Sequence, residues 1–484
     1  MALPQSADYV SGVPHASADN VTNTGQDFGS GPYRTYVLVT LTAVYTLNFV
    51  DRILIGVVAQ PIIEEFQLRD WQFGLLSGFG FALMYTLMGL PIARLAERMN
   101  RVRIIATCVV LWSAMTALCG TAGGFYSLLV FRVGVGIGEA GCTPPANSLI
   151  ADYFTPRKRA MAFGVYGLGV TLGGVLANLF GGPIAQTLSW REAFIYIGIP
   201  GVLVGLVVLA TVREPPRGYS DPAGTPAAPK TNFAEALREL ASKPTYWMLA
   251  FSATVAAFVG YGVANFQAPF FQRVHGLSVS EIATRYAVPI GLAATAGAFL
   301  AGWLTQKLSA RFVNAVAWIP AIGFAACVPL YWIGLHATDL NVVLAALMSA
   351  SLFHYFYLGA QYTIGQGVVG ARTRATAIAI LLFIVNLVGY GLGPLGVGAL
   401  SDYLTLDYLS TSSFAAELAL EACKGRPAEL IAALGQAKAQ VCLDASATGL
   451  RQALSHTVVL YWIAAAAMAA TTRTLQRDMV ARLG

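Results

Sequence analysis

The sequence predicts an all-α integral membrane protein with 12 transmembrane helices in two six-helix bundles. Of its 484 residues, 56% are apolar and only 11% are charged, and the mean hydropathy is +0.62. An ordinary soluble domain has about 25% charged residues, so a soluble globular fold is excluded. A helix needs about 20 residues to cross the bilayer, which leaves room for twelve crossings. The apolar runs are too long for the roughly ten-residue strands of an outer-membrane barrel.

Twelve apolar runs form two sets of six, separated by a linker that is rich in Pro and Ala and contains a short helical stretch at 232–240. The predicted spans are 36–60, 73–94, 103–123, 125–150, 160–186, 192–213, 245–272, 282–306, 312–335, 341–366, 374–400 and 453–473. The predicted domains are a disordered tail at 1–32, an N-terminal bundle at 33–213, a linker at 214–243, a C-terminal bundle at 244–473 with an extracytoplasmic helical segment at 401–452, and a tail at 474–484.

Basic residues between the spans predict the orientation. The loops on the side of the two termini carry 16 Lys or Arg, and the opposite loops carry 8, four of them in the single long segment before span 12. Short cytoplasmic loops are enriched in basic residues, so both termini are expected to be cytoplasmic. The expected location is the plasma membrane, which is the inner membrane in a bacterium. Because the positive charge is divided among short loops, no nucleic-acid partner is expected.

The two halves of the chain repeat each other. Ala93-Arg-Leu-Ala-Glu97-Arg98 after span 2 corresponds to Gly302-Trp-Leu-Thr-Gln306-Lys307 after span 8, 209 residues later. Arg-Ala-Met-Ala at the start of span 5 corresponds to Arg-Ala-Thr-Ala at the start of span 11. Such a repeat is typical of a transporter built from two similar bundles around a site at the membrane midplane.

These residues resemble the major facilitator superfamily, whose signature after span 2 is Gly-x-x-x-Asp-Arg-x-x-Arg-Arg. Within it, four motifs resemble the spinster family: Asn48-Phe-Val-Asp51-Arg52, Arg132-Val-Gly-Val-Gly136-Ile-Gly-Glu139, Trp190-Arg191 and Arg213-Glu-Pro-Pro-Arg-Gly218. The resemblance implies the major facilitator fold, alternating access, and transport of sphingolipids such as sphingosine phosphate or of lysolipids. Proton coupling is implied for some members.

The signature after span 2 is represented here by Glu97, Arg98 and Arg101. Glu97 stands where the superfamily usually has Asp, and Gln306 removes the acid from the second copy. By resemblance, the acid pairs across the cytoplasmic interface of the bundles and holds the outward-open state closed on the inside. The alternative is that these charges only orient the loop.

Four charged residues lie within predicted spans: Asp51 and Arg52 in span 1, and Arg132 and Glu139 in span 4. Each costs about 2.5 to 3.5 kcal/mol at a helix centre, so they are expected to pair with each other or to line a water-filled cavity. Arg132 and Glu139 are seven residues apart and share one helix face. We interpret the four as a site for proton coupling and for the substrate head group. The alternative is an ion-pair network that only fixes spans 1 and 4.

The corresponding helices of the second half, spans 7 and 10, contain no Asp, Glu, Lys or Arg deep inside. They instead carry aromatic and weakly polar side chains that would suit an amphipathic ligand. The predicted cavity residues are Tyr261, Asn265, Phe266, His354, Tyr357 and Gln361. For each aromatic residue helix packing is the alternative, and His354 could equally be hydrogen-bonded to a neighbouring helix.

Two cysteines, Cys423 and Cys442, lie 19 residues apart in the segment that is predicted to face outside. Their position on the oxidising side predicts a disulfide that closes a small helical hairpin. The alternative is two free thiols.

The expected function is secondary active transport of an amphipathic anionic or zwitterionic lipid, with proton coupling. The alternative is a proton-coupled multidrug or organic-anion exporter. No Cys-x-x-Cys, His-x-x-x-His or Gly-x-x-x-x-Gly-Lys motif is present, so no enzyme activity, cofactor or metal is expected. The expected partners are the amphipathic substrate, protons and the lipid bilayer, and the protein is expected to be a monomer.

Overall fold

The computed structural model describes residues 26–222, 233–309, 311–370 and 372–480. Twelve helices in these ranges are long and apolar enough to cross a membrane, which confirms the predicted all-α fold of twelve spans. Numbered as spans 1–12, they are Gly31–Val57, Asp70–Arg98, Arg101–Cys119, Phe125–Tyr153, Pro156–Thr187, Trp190–Thr211, Pro244–His275, Val279–Ser309, Ala315–His336, Leu340–Gly367, Arg374–Ser410 and Gln436–Asp478. Parts of the predicted tails and linker lie outside the described residues.

Local signals set several helix ends. Asn100 accepts a hydrogen bond from the backbone N–H of Arg103 and so caps span 3. Ser189 caps span 6 in the same way. Span 7 ends at Gly276, whose φ of 67° is the left-handed conformation that favours glycine at a helix C-terminus.

Spans 11 and 12 are longer than the sequence predicts. Span 11 continues to Ser410, and the last helix begins at Gln436 rather than near residue 453. Between them lies the cap segment, residues 411–435, with a short helix at Pro427–Leu434. The predicted helical segment 401–452 thus consists of the end of span 11, the cap and the beginning of span 12, and the short helix of the cap packs against the beginning of span 12. Charged residues such as Lys438 lower the hydropathy of this region without lowering its helix propensity.

Breaks in the helices repeat between the two halves. Span 4 is interrupted after Glu139 and resumes at Thr143, and span 10 is interrupted after His354 and resumes at Tyr357. Spans 2, 5, 8 and 11 each contain a π-helical turn, at Leu75–Phe79, Ala177–Gly181, Ile282–Ala287 and Val385–Tyr390. The repeat inferred from sequence motifs is thus also present in the backbone, and the π turns lie in four helices that contact the other bundle.

We call the interface between the two bundles the seam. One end of the molecule, the terminus-bearing end, holds the start of span 1 and the end of span 12, and the other is the opposite end. At the opposite end Arg273 of span 7 donates two hydrogen bonds to Asp70, with N–O distances of 2.7 and 2.8 Å. Asp402 of span 11 accepts hydrogen bonds from the backbone N–H groups of Asp70 and Trp71. These bonds join the bundles in a buried layer.

Two glycines permit close backbone contact at the same end. A Cβ on Gly74 would lie 2.3 Å from the carbonyl oxygen of Pro394, and a Cβ on Gly398 would lie 2.2 Å from that of Asp70. Neither position can hold a side chain without separating spans 2 and 11. The opposite end is therefore closed by backbone packing as well as by ion pairs.

The cap segment covers the closed end. Cys423 of the cap is joined to Cys442 of span 12, with Cα atoms 5.1 Å apart. Glu421 of the cap forms ion pairs with Arg69 of the N-terminal bundle and with Lys424. A polar cleft of about 320 Å³ lies between the cap and the layer that contains Asp70. The cap thus belongs to the C-terminal bundle but reaches the N-terminal one.

The linker is attached to both bundles where it is described. Glu214 pairs with Arg101 at 2.6 Å, and Asp221 pairs with Arg159 at 2.6 Å. The predicted helical stretch is present as Phe233–Ala241. Glu239 of this helix accepts a hydrogen bond from the backbone N–H of Gly370 at the end of span 10. Residues 223–232 of the linker lie outside the described ranges.

Candidate functional site

The four predicted charged residues lie together in the interior of the N-terminal bundle. Asp51, Arg132 and Glu139 are at most 2% exposed, and the side chain of Arg52 is 15% exposed. Span 4 can approach its neighbours because a Cβ on Gly138 would lie only 2.7 Å from Trp112 of span 3. The glycines between Arg132 and Glu139 thus place both charges deep in the bundle.

Arg52 and Glu139 form a direct ion pair. Nε of Arg52 donates to Oε2 of Glu139 at 2.6 Å. The guanidinium of Arg52 also lies over the rings of Tyr85, Phe81 and Phe49, at 4.5, 5.2 and 5.3 Å from their centroids. Aromatic faces stabilise a cation that is partly removed from water. Arg52 is therefore held by one carboxylate and three rings while part of its side chain remains exposed.

Arg132 is held differently. It is fully buried, and Nη1 makes one long contact of 3.5 Å to the backbone carbonyl of Asp51. Its guanidinium lies 5.4 Å from the centroid of Phe81. Nε and Nη2 of Arg132, and Oε1 of Glu139, have no hydrogen-bond partner within the described part of the chain. Buried polar atoms are nearly always hydrogen-bonded, so Arg132 and Glu139 keep hydrogen-bonding capacity that their described contacts do not use.

The structure brings the charge cluster, defined as Asp51, Arg52, Arg132 and Glu139, opposite a group of tyrosines from the other bundle. Tyr261 of span 7 contacts Tyr390 of span 11, with ring centroids 4.4 Å apart. Tyr261 and Tyr362 are 37% and 38% exposed although both lie in the middle of spans. Tyr85 on span 2 faces them from the N-terminal side. The partly exposed Arg52 therefore lies near phenolic groups of the C-terminal bundle.

Several predicted cavity residues lie elsewhere. Phe266 is fully buried and packs edge-on against Phe73 at the closed end, so it does not line the cavity in this conformation. His354 is buried, and its Nδ1 is 2.8 Å from the hydroxyl of Tyr461 on span 12. It therefore makes the helix–helix hydrogen bond that was the alternative to a cavity role. Tyr357 is also buried and packs against Phe324.

The two amide residues have intermediate positions. Asn265 is 8% exposed, donates to the carbonyl of Tyr261 one turn earlier, and lies next to Gly56 of span 1. Gln361 is 3% exposed, and its Oε1 finds no partner among the residues that the structure describes. Asn265 therefore lies at the seam, and Gln361 is buried in span 10.

The signature residues after span 2 are separated. Glu97 and Arg98 are exposed at the end of the helix. Arg101 is fully buried and pairs with Asp152 of span 4 and with Glu214 of the linker. In this conformation the contacts of Arg101 therefore lie within its own bundle and the linker, and not across the seam.

Sequence reasoning missed two groups. The opposite-end layer of Asp70, Arg273 and Asp402 was not predicted, because charged residues at the ends of spans are expected at a membrane surface. Tyr85 and Tyr390 were also missed, because a tyrosine in an apolar run is typical of helix packing. The spacing of Asp70 from the end of span 1 gives no signal that it faces a basic residue about 200 positions later.

No group of three or more His, Cys, Asp or Glu side chains is placed to hold a metal ion within the described ranges. The charge cluster itself offers groups for ion pairing and hydrogen bonding.

Comparison with known proteins places these features in context. The profile of the Major Facilitator Superfamily matches residues 41–394. The structure is similar to the crystal structure of a bacterial homolog to the human lysosomal transporter spinster, in an inward-facing and unoccupied conformation. The two share 46% sequence identity at a TM-score of 0.86, over 94% of this chain and all of that one.

Two curated relatives are also similar. An MFS-type efflux pump of Mycolicibacterium smegmatis is 33% identical over 378 residues, which is 78% of this chain and 87% of the relative. Protein spinster homolog 3 of Danio rerio is 26% identical over 414 residues, 80% of this chain and 81% of the relative. The similarity thus extends over both bundles.

Proposed function

Because this chain belongs to the Major Facilitator Superfamily and, within it, to the spinster family of transporters, we propose that it moves an amphipathic anionic or zwitterionic lipid by alternating access. The chain is a multi-pass membrane transporter for a small-molecule substrate and not an enzyme. The single observation that carries the lipid proposal is the partly exposed Arg52, which lies near tyrosines of the C-terminal bundle. A cation on one side and aromatic surface on the other match a charged head group and an apolar chain.

The pairing of Arg52 with Glu139 supports the proposed proton coupling. An anionic head group and the carboxylate of Glu139 compete for the same guanidinium. Protonation of Glu139 weakens its bond to Arg52 and makes that guanidinium available to the anion. A proton and an anionic substrate therefore favour each other's binding, which is a reciprocal coupling free energy.

The proposed orientation has both termini in the cytoplasm and the protein in the plasma membrane, or the inner membrane of a bacterium. The charge asymmetry of the loops supports it. The described ion pairs across the seam lie at the opposite end, and the similar crystal structure is inward-facing. Together these support an inward-open conformation. We further propose that the transporter acts as a monomer, since each chain contains both bundles.

The alternative is a proton-coupled exporter of drugs or organic anions. It is favoured by one observation, the 33% identity with the efflux pump of Mycolicibacterium smegmatis. Transport of a panel of lysolipids and amphipathic drugs into proteoliposomes, with and without a pH gradient, separates the two functions. Saturable transport of the lysolipids supports the lipid function, and transport of the drugs alone supports the alternative.

The site itself is tested with Glu139→Gln and Arg52→Ala. Binding of a lysophospholipid to purified protein is measured across pH. Arg52→Ala should weaken binding by about 10- to 100-fold, the equivalent of a charged hydrogen bond. Glu139→Gln should keep binding but lose its pH dependence, because the amide does not titrate.

The matched control is the ion pair of Glu281 and Arg285, which lies on the surface of span 8 at 3.1 Å. Glu281→Gln and Arg285→Ala remove a carboxylate and a guanidinium outside the site. They should change neither the affinity for the lysophospholipid nor its pH dependence. If the Arg52 and Glu139 variants keep wild-type affinity and pH dependence, the cluster is a structural network and the proposal is wrong.

A further inference from the structure

Tyr390 of the C-terminal bundle lies close to the charge cluster, and the side chain of Phe81 contacts both. It ends the π-helical turn of span 11, and its ring packs edge-on against Phe81 of span 2, with centroids 5.5 Å apart. The same Phe81 ring lies beneath the guanidinium groups of Arg52 and Arg132, at 5.2 and 5.4 Å. One aromatic ring therefore separates Tyr390 from both arginines.

The charged groups that face Tyr390 all come from the N-terminal bundle. They are Arg132 and Glu139 of span 4 and Arg52 of span 1, while span 7 contributes the phenol of Tyr261. The C-terminal bundle thus meets the cluster with phenolic hydroxyls and without an ion. A hydroxyl can accept a hydrogen bond from an arginine and can also donate to a carboxylate.

The hydroxyl of Tyr390 has no partner in the described part of this conformation, although the residue is only 4% exposed. A buried hydroxyl without a hydrogen bond destabilises the protein relative to phenylalanine at the same position. Nε and Nη2 of Arg132 are likewise unpartnered. The hydroxyl of Tyr390 on one bundle and two nitrogens of Arg132 on the other therefore have no hydrogen-bond partner among the described residues, and both side chains contact the ring of Phe81.

The π-helical turn that ends at Tyr390 could reorient its side chain toward Arg132. A Cβ on Gly78 would lie 2.7 Å from the carbonyl oxygen of Gly391, so spans 2 and 11 are in direct backbone contact there. A π-helical turn contains one residue more than an α-helical turn, and such turns are frequent at functional sites. Converting it to an α-helical turn rotates a neighbouring side chain by about 100° around the helix axis.

We propose that Tyr390 is a positioning residue of the transport cycle, whose hydroxyl accepts a hydrogen bond from Arg132 in the conformation that is closed at the terminus-bearing end. The inference rests on the proposed function, because it takes the charge cluster as the coupling site. When an acid of the cluster is protonated, Arg132 loses part of its attraction within the N-terminal bundle. It can then donate across the seam, which links the protonation state of one bundle to the position of the other.

The test compares Tyr390→Phe with Tyr166→Phe in the full-length protein in lipid nanodiscs. Tyr166 is the matched control because it is also 4% exposed and its hydroxyl is also unpartnered, but it stacks on Tyr45 of its own bundle. Spin labels at the exposed positions 157 and 311 report the distance between the bundles at the terminus-bearing end at acidic and neutral pH. Thermal unfolding of each variant is measured in parallel.

Both variants should unfold at or above the wild-type temperature, because each loses an unpartnered hydroxyl. Tyr390→Phe should reduce the pH-dependent change in the closed population by about fivefold, the equivalent of one ordinary hydrogen bond. Tyr166→Phe should keep the wild-type response. The inference is overturned if Tyr390→Phe keeps the wild-type pH response, or if both variants lose it equally.

Glu139→Gln, measured with the same labels, separates this inference from the proposed function. A wild-type protein without a pH response, or a Glu139→Gln variant with a normal one, contradicts the proposed coupling site itself. Loss of the response in Glu139→Gln together with its retention in Tyr390→Phe contradicts only the role of Tyr390.

Discussion

At the opposite end of the seam, Asp70 of the N-terminal bundle binds Arg273 of the C-terminal bundle, whereas at the terminus-bearing end Arg101 binds Asp152 and Glu214 of its own bundle and the linker. Arg101 is fully buried and the side chain of Arg273 is 9% exposed, and each has a buried carboxylate partner, Asp152 or Asp70. They differ in whether the partner belongs to the other bundle. The first contact must break for the opposite end to open, and the second can persist while the bundles move.

This difference indicates which contacts set the stability of a bundle and which set the balance between conformations. Loss of a contact within one bundle lowers the stability of that bundle in every conformation. Loss of a contact across the seam changes the balance between conformations, because the contact exists in only one of them. Variants at the two ends should therefore separate stability from population, and their effects can be ordered by size.

The largest effect is expected for Asp70→Asn, which leaves Arg273 buried without its carboxylate. Removal of one partner of a buried ion pair costs about 3 to 5 kcal/mol, enough to invert a two-state population. The opposite end should open, and spin labels at the exposed positions 121 and 338 should move apart.

The control for this variant is Asp70→Asn combined with Arg273→Gln, which removes the unpaired charge. The double variant should return part of the way toward the closed distance. Unchanged distances in the single variant would mean that the glycine contacts of spans 2 and 11 alone hold this end closed.

The second effect is expected for Arg101→Ala. It leaves Asp152 and Glu214 close together without a cation, and Glu214 is partly exposed, so the loss of stability should be about 3 kcal/mol. If Arg101 instead belongs to a gate across the seam, as the family resemblance implies, its loss should shift the protein toward the inward-open state.

The two interpretations are distinguished by measuring thermal unfolding together with the distance between labels at positions 157 and 311. The contacts in this conformation predict a lower unfolding temperature at an unchanged distance. Glu97→Ala serves as the comparison, because Glu97 is exposed here, and a change in its distance distribution would locate the gate at Glu97 instead.

The third effect concerns the cap segment and the bond between Cys423 and Cys442. A disulfide between residues 19 apart lowers the entropy of the unfolded chain. On the chain-entropy model this raises the free energy of unfolding by about 3 kcal/mol at most. Reduction should therefore destabilise the cap and leave the spans intact. Under denaturing, non-reducing conditions a maleimide should modify Cys108, Cys119, Cys142 and Cys327 only. Modification of all six cysteines without reductant would contradict the bond.

The sequence predicted the fold well because hydropathy over about 20 residues is a local property. The helix of span 12 begins before its apolar run because Lys438 and Asp444 lower the hydropathy of a stretch that is still helical. A helix can extend beyond the bilayer, and an apolar run predicts only the part of the helix that lies within the bilayer.

The candidate site was predictable in part for an energetic reason. Charges such as Arg132 are costly in a membrane, so their presence marks the site without any structure. The choice of partners was not predictable, since Arg52 rather than Arg132 pairs directly with Glu139. Nor could the sequence indicate that Asp70 and Arg273 meet, because pairing across the seam depends on how two separately folded bundles pack.

The smallest effect is expected at the exposed ion pairs of Glu421, which also cross the seam. Hydrogen bonds from Lys424 and Arg69 lower the pKa of Glu421 below its ordinary value of 4.5. Because the folded-state pKa is the lower one, the contribution of Glu421 to stability is fully present above the unfolded pKa and is lost as the pH falls through the folded value. Exposed pairs contribute less than about 1 kcal/mol and are screened by salt.

Lowering the pH below this range should therefore move the labels at positions 121 and 338 apart slightly in the wild type, and Glu421→Gln should remove that response. Glu417→Gln is the matched control, because Glu417 is equally exposed but pairs with Lys438 of span 12 in the same bundle. A wild-type response that survives in Glu421→Gln would assign the acid sensitivity of the closed end to the buried layer beneath the cap. That layer, with Asp402 beside Asp70, would then be the element that differs most from the terminus-bearing end, and the cap would serve only as its cover.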